Sequence, residues 1–360
     1  MTAGSGARVP GATVLGATVP CQVPRAVCHG AVPGARCHVP GATCQVPSGT
    51  PSKHSLARGT KHPARHQASS TKHQAPEMSF VRRAAVAGSW YPGFAPELAA
   101  AVDRHLAHAD RDDLVLRGEL VALISPHAGL MYSGPVAAHA YRLLRKRRVD
   151  VAVLVGPSHF VGFDGVAVVP SGGFETPFGV ASIDAACAAD LAAASTIVRE
   201  HPSAHAREHS LEMQLPFLQR VAPRASIVPL VMGYQTADTA RNLAQALALV
   251  LRGRHALLVA STDLSHYHNR AAAARLDATV IDCVSRFDTD GLQHALNLQP
   301  EHACGGGPTV AVMRAAERLG ASHAALLAYA DSGEISGDTS AVVGYMAAAF
   351  GTFDNNRRER

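Results

Sequence analysis

Beyond residue 78 the apolar positions of this chain alternate between two textures. Short unbroken runs bounded by turn formers read as buried strands: 119–125 (ELVALIS), 150–156 (DVAVLVG), 165–170, 225–232 (ASIVPLVM), 255–261 (HALLVAS), 323–330 and a last apolar element, 341–350. Between them, apolar residues three and four apart read as amphipathic helices. The stretch 95–109 puts Leu98, Val102 and Leu106 on one face, 135–145 opens with Pro in its first turn, and Asp184 caps a helix through Ala194. An Ala- and Leu-rich helix precedes His255, and Pro308 opens a helix through Leu319. The segment 207–219 (REHSLEMQLPFLQ) also reads as helical, with Glu208, His209 and Glu212 on one face and Pro216 bending or restarting it. Strand alternating with helix predicts a layered α/β domain.

Residues 1–77 carry neither texture. They repeat short words, VPGAT at Val9 and Val39, CQVP at Cys21 and Cys44, TKH at Thr60 and Thr71, and Pro and Gly interrupt every apolar run, so no secretory signal forms. This composition predicts a disordered tail. Met78 directly precedes the first globular segment and is the expected natural start, with 78–351 as one domain and 352–360 as a frayed polar end. The 360 residues are 47% hydrophobic, ample for a large core. The longest apolar stretches fall short of the roughly 18 to 20 residues that cross a bilayer. The net charge of +5 suggests a basic protein until it is divided: the tail holds eight Lys or Arg against one acid, leaving 25 cations and 27 acids in the rest. The globular part is mildly acidic, which gives a nucleic-acid partner no support. Its three scattered thiols, Cys187, Cys283 and Cys304, point to a reducing cytoplasm. The tail's Cys21, Cys28, Cys37 and Cys44 fit no zinc spacing.

Candidate chemistry collects just beyond the strand ends. His127 follows the first run in ISPHAGLMYSG and His159 follows the second in GPSHF, each shortly after a proline. In open α/β sheets the carboxyl edge binds ligands, and two histidines there either converge on one metal ion or serve as hydrogen-bonded loop residues. Gly129 and Gly134 would let backbone approach a small molecule. Asp263 and His266, in STDLSHYH, lie three apart beyond the 255–261 run; they read as a carboxylate orienting a general base, or Asp263 as a helix cap. Glu208, His209 and Glu212 read either as proton-transfer or metal-supporting groups or as a solvated cap. Cys304, in EHACGGGP, precedes three glycines that packing does not call for and a helix amino terminus that favours thiolate, a nucleophile or soft metal ligand. Trp90 and Tyr91 read as core or pocket wall, and 331–340 as a flexible acidic loop.

In order along the chain, GSWYPG, SPHAGLMYSG, GPSHF, TPFG, EHSLEMQLPFL, STDLSHY and CGGGP resemble the MEMO family, called in prokaryotes the AmmeMemoRadiSam system protein B. The resemblance covers about 83–350 and implies a single three-layer α/β domain, a central mixed sheet flanked by helices, similar to LigB-type class III extradiol dioxygenases. It implies iron or copper on His127, His159 and Cys304, with His266 as the acid–base imidazole and Asp263 beside it. A cysteine where the dioxygenases have a glutamate departs from their ligand set. The prokaryotic name implies a radical SAM protein and an AMMECR-type protein as partners.

The leading functional reading is a non-haem, metal-dependent oxidoreductase acting on a small molecule, with no organic cofactor evident. The alternative is a non-catalytic metal- or peptide-binding interaction protein working with a radical SAM partner. A third reading pairs Cys304 with His127 or His266 in a hydrolase or transferase.

Overall fold

The unbroken apolar runs form the middle of one nine-stranded sheet in the computed structural model, which describes residues 80–111 and 114–353. The expected disordered tail, with its cysteines and Met78, lies outside the described residues. The strands are β1 (Val81–Arg82), β2 (Gly118–Ser125), β3 (Val151–Pro157), β4 (Val166–Val168), β5 (Gly173–Thr176), β6 (Gly179–Ser182), β7 (Val198–Glu200), β8 (Ser226–Met232), β9 (Ala256–Ser261), β10 (His266–His268), β11 (His323–Asp331) and β12 (Val342–Phe353). The helices are α1 (Ala95–Ala109), α2 (Leu130–Tyr141), α3 (Ala185–Ala194), α4 (Pro202–Ala206), α5 (Leu215–Val221), α6 (Ala237–Leu251), α7 (Arg270–Ser285), α8 (Thr289–Leu298), α9 (Gly306–Arg318) and α10 (Gly333–Ser336).

The large sheet runs β10-β12-β2-β9-β3-β8-β4-β7, with β11 on the far side of β12. Its centre, β2-β9-β3-β8, is parallel, and β12 and β4 pair antiparallel on either side, so the sheet is mixed. Parallel strands covered on both faces need apolar residues at every position, which is why these segments read as runs. Helices α1, α2 and α5 pack together, with α2 on β2, β11 and β12; α9 packs on β2, β3 and β9 and is flanked by α6 and α8, while α7 lies on β11 and β12. Ser125 is in register with Ser261 and Pro157 with Met232, so four parallel strands end along one edge.

The helices follow local chemistry. Asp184 caps α3 through the Cys187 amide (2.9 Å), Thr236 caps α6 and Asn269 caps α7. Helix α2 differs from expectation: it starts at Leu130, with Pro135 inside it. Gly134 is the reason it packs so close to α1, since a Cβ there would meet the His105 ring at 3.0 Å. That glycine serves helix packing and not ligand approach. A separate sheet, β1-β5-β6, holds the turn-rich 174–182 stretch, and α10 interrupts the expected acidic loop. At the other end, β12 carries Thr352 and Phe353, paired with Glu119 and Gly118, two residues into the stretch expected to fray. Among the described residues no helix is long and apolar enough to cross a membrane.

Candidate metal site

His127 leaves the end of β2 in a turn fixed from the neighbouring strand: Asp263 Oδ1 accepts its backbone N–H at 2.7 Å, and Ser125 O accepts from Thr262 N at 3.0 Å. Its ring is 2% exposed, with Nδ1 3.0 Å from Ser261 Oγ. The single hydroxyl proton of Ser261 goes to the Ser210 carbonyl (2.6 Å), while Gln214 Nε2 donates to Ser261 Oγ (2.7 Å). Ser261 therefore has only a lone pair left for the imidazole, so His127 Nδ1 is the donor in that bond. Cys304 Sγ lies 3.2 Å from His127 Nε2.

His159 is anchored by a charge instead. Glu208 Oε2 accepts the His159 backbone N–H at 2.7 Å, and Oε1 accepts from Nδ1 at 2.9 Å and from the Ser210 amide at 2.9 Å. Burial works against both charges, but the pair wins. Burial would raise Glu208, yet His159 holds it far below the usual carboxylate range. Burial would lower His159, yet Cys304 and Glu208 bring it up to about 10.

Cys304 is set between the two rings by the backbone of the β9 turn: its N–H donates to the Asp263 carbonyl (3.2 Å), and its sulfur accepts from the Asp263 amide (3.3 Å). Gln235 brackets the segment, donating to the Cys304 carbonyl and accepting from Gly307 N, both at 2.7 Å. The three glycines are required by packing, contrary to the sequence reading. A Cβ on Gly305 would meet the Ser261 carbonyl at 2.5 Å, one on Gly306 the Leu296 side chain at 2.6 Å, and one on Gly307 the Met232 sulfur at 2.8 Å. Burial would raise the thiol, but the His127 and His159 rings bring it down to about 6.

The segment 207–219 is not one helix. It is a turn through Leu211, a 3-10 turn at Glu212–Gln214, and then α5 with Pro216 in its first turn. Glu208 and Glu212 consequently point to different partners: Glu208 to His159, and Glu212 to Arg82, Tyr91 and the amides of Ala85 and Val86. The same turn delivers His209, absent from the expected ligand set. Its ring stacks on His159 (centroids 4.6 Å, 18°) and meets Trp90 at 4.3 Å. Burial, with the His127 and His159 rings adding to it, lowers it to about 3, so it is neutral. The signal was its place beside Glu208 in a segment already singled out. Trp90 and Phe160, 39% and 49% exposed, both contact the His209 ring, with centroids at 4.3 and 5.9 Å. His266 lies on β10; its charge opposes the upward push that burial gives Asp263, but no hydrogen bond joins the two among the described residues.

Two groups of donors are close enough to share an ion, each with its ligand atoms within 4.8 Å of one another: His127, His159 and Cys304, and His159, Glu208 and His209. The second uses a carboxylate that already receives three N–H donors and whose task is to hold His159. The first offers a thiolate and two imidazoles whose other nitrogens are tied, which is the chemistry a borderline or soft transition metal requires.

A model of the Memo-like protein family matches residues 82–349. A MEMO1 family protein of Nitrosopumilus maritimus is 34% identical over 274 residues, covering 75% of this chain and 99% of that one. Another, of Ignicoccus hospitalis, is 39% identical over 280 residues, covering 75% and 98%. The solved structure of an uncharacterized Escherichia coli K12 protein aligns at 15% identity with a TM-score of 0.45, covering 63% of this chain and 99% of that one.

Proposed function

The chain belongs to the Memo-like protein family, and we propose that it holds one iron or copper ion on His127, His159 and Cys304 and works as a non-haem redox enzyme on a small molecule. The observation that carries this reading is that both imidazoles are anchored at Nδ1, by Ser261 and by Glu208, with the Cys304 thiol at the open side of His127. Three protein donors leave coordination positions open, and iron or copper bound there would supply one-electron chemistry. The chain's own residues bind and protonate. Trp90 and Phe160 flank the entrance, the neutral His209 ring walls the pocket, and His266, beside buried Asp263, moves a proton to or from the ligand.

The test is anaerobic metal analysis of the protein from Met78, wild type against His127→Ala, His159→Ala and Cys304→Ser. Near-stoichiometric iron or copper, lost in all three variants, supports one convergent site and justifies measuring dioxygen uptake with catechols. Wild-type protein without metal, or variants that bind as well as wild type, would sink the reading. A non-catalytic carrier that hands its metal or a peptide to a radical SAM partner needs the three ligands but no proton donor. His266→Gln separates the two: it abolishes turnover in an enzyme and leaves a carrier unchanged.

A further inference from the structure

Arg82 is 3% exposed, and all three of its guanidinium nitrogens are bonded. Nη1 meets Glu212 Oε2 at 2.5 Å, Nε donates to the His205 carbonyl at 2.7 Å, and Nη2 donates to the Glu208 carbonyl. The face of the guanidinium lies 4.9 Å from the centre of the Phe174 ring. Glu212, fully buried, also accepts from the amides of Ala85 (2.8 Å) and Val86 (3.0 Å) and from the Tyr91 hydroxyl (2.7 Å). Taking both charges out of water carries a desolvation cost that an apolar pair of the same size would avoid. Stability alone therefore does not account for the pair. Its geometry does, because it joins the pieces from which the pocket is built. Glu212 ties down the 85–91 segment that carries Trp90, and the Trp90 carbonyl accepts from Leu130 N at 2.8 Å, the start of the helix after His127. Arg82 grips the turn 205–208 from behind at two carbonyls, and the Glu208 side chain on that turn holds the backbone and the ring of His159.

We propose that Arg82 is a positioning residue for His159: by fixing the His205 and Glu208 carbonyls it fixes the Glu208 carboxylate, and through it the aim of the ring. The requirement is for arginine as such. A planar fork reaches a carboxylate and two carbonyls at once, whereas lysine, with one nitrogen on a flexible stem, keeps the Glu212 pair and releases the turn. Only the metal readout rests on the proposed metal site; the orientation of His159 is measurable with no metal present.

The experiment compares wild type, Arg82→Lys, Glu208→Gln and the double variant of the full chain. In metal-free protein, the imidazole 15N resonances of His159 report the hydrogen bond that its Nδ1 makes to Glu208. Arg82→Lys is expected to keep the wild-type far-ultraviolet circular dichroism and Trp90 fluorescence while the His159 Nδ1 resonance shifts as that bond weakens. Iron or copper affinity should fall about 10- to 100-fold. Because Arg82 acts through Glu208, the double variant should be no worse than Glu208→Gln alone. Wild-type His159 resonances in Arg82→Lys, or losses of affinity that simply add, would overturn the proposal. If wild type takes up no metal, the metal reading fails and the 15N resonances still decide this one. Should Arg82→Lys not fold, Phe174→Leu loosens the guanidinium without removing a charge; the same Nδ1 resonance shift is expected there, and its absence is equally fatal.

Discussion

His127 and His159 close the same pocket from β2 and β3, on either side of β9, yet they are held by opposite means. His127 leans on a neutral relay: Ser261 joins it to Ser210 and Gln214, and all three relay residues are fully buried. His159 leans on a carboxylate, which makes it a cation with a partly exposed ring. The neutral relay can sit in the core because it brings no charge there, so its removal should show in stability. The charged anchor tunes one ring at the pocket wall, so its removal should show in ligand binding.

The largest expected effect tests the first half of that contrast. Ser261→Ala leaves the Ser210 carbonyl, Gln214 Nε2 and His127 Nδ1 short of a partner without admitting water. At about 1 kcal/mol or more per stranded group, unfolding free energy should drop by roughly 3 kcal/mol. Chemical denaturation measures it, and a loss under about 1 kcal/mol would show that the relay carries no weight.

Glu208→Gln tests the second half. The amide still accepts from His159 Nδ1 but offers no negative charge, so iron or copper affinity should fall about 10- to 100-fold, or roughly 1.4 to 2.7 kcal/mol. Its stability loss should be smaller than that of Ser261→Ala. Isothermal titration with each metal, beside the same denaturation, checks the order, and a reversed order breaks the contrast.

How far this contrast was legible in the sequence follows from its physics. The strand runs and the two histidines were readable because burial on both faces and the strand-end position leave local marks, as 150–156 and His159 show. The MEMO-like motifs read in order agree with the family match over residues 82–349. Glu208 was readable as a metal-supporting group, but the histidine it anchors, and the neutral relay behind His127, were not. Ser261 and Gln214 are ordinary residues 47 apart in sequence that meet only in the fold. Glu208 and Glu212 were assigned to one helical face because helical spacing is the default for four-residue separations; the 207–211 turn, gripped by Arg82 from more than a hundred residues away, overrides it. The glycines after Cys304 looked functional because Cβ clashes with the β9 turn, Leu296 and Met232 have no local signature.

His205 sharpens the comparison by lacking an anchor of its own. It lies three residues before Glu208, and burial, with the charge of Arg82 adding to it, lowers it to about 4 from 6.5. A histidine depressed in the folded state contributes stability that is present above its unfolded pKa and lost as pH falls toward the folded one. Between pH 7 and about 5.5 the loss from this residue should be about 1 kcal/mol. His159, raised to about 10, has the opposite sign: its contribution is complete below 6.5 and is lost as pH rises through the folded value. His205→Phe should flatten the acid side of the stability–pH curve of the metal-free protein and leave the alkaline side alone. A variant whose acid limb matches wild type would assign that limb to other groups.

The smallest effect asks whether the two rings act together on the sulfur between them. Cys304 at about 6 is about nine-tenths thiolate at pH 7, against about a hundredth for a thiol at its model value of 9.0. A more acidic thiol is a weaker nucleophile per anion, which returns most of that gain and leaves a net advantage of roughly fourfold. In metal-free protein, iodoacetamide should therefore modify Cys304 modestly faster than a free thiol, with a rate midpoint near pH 6. Cys187, fully buried and pushed up to about 11, should stay unmodified until the fold opens. In Glu208→Gln the Cys304 midpoint should rise, because His159 is no longer held as a cation. In Ser261→Ala it should move less, because that substitution removes no charge. Equal movement in both would mean that the neutral and charged anchors act on the thiolate alike.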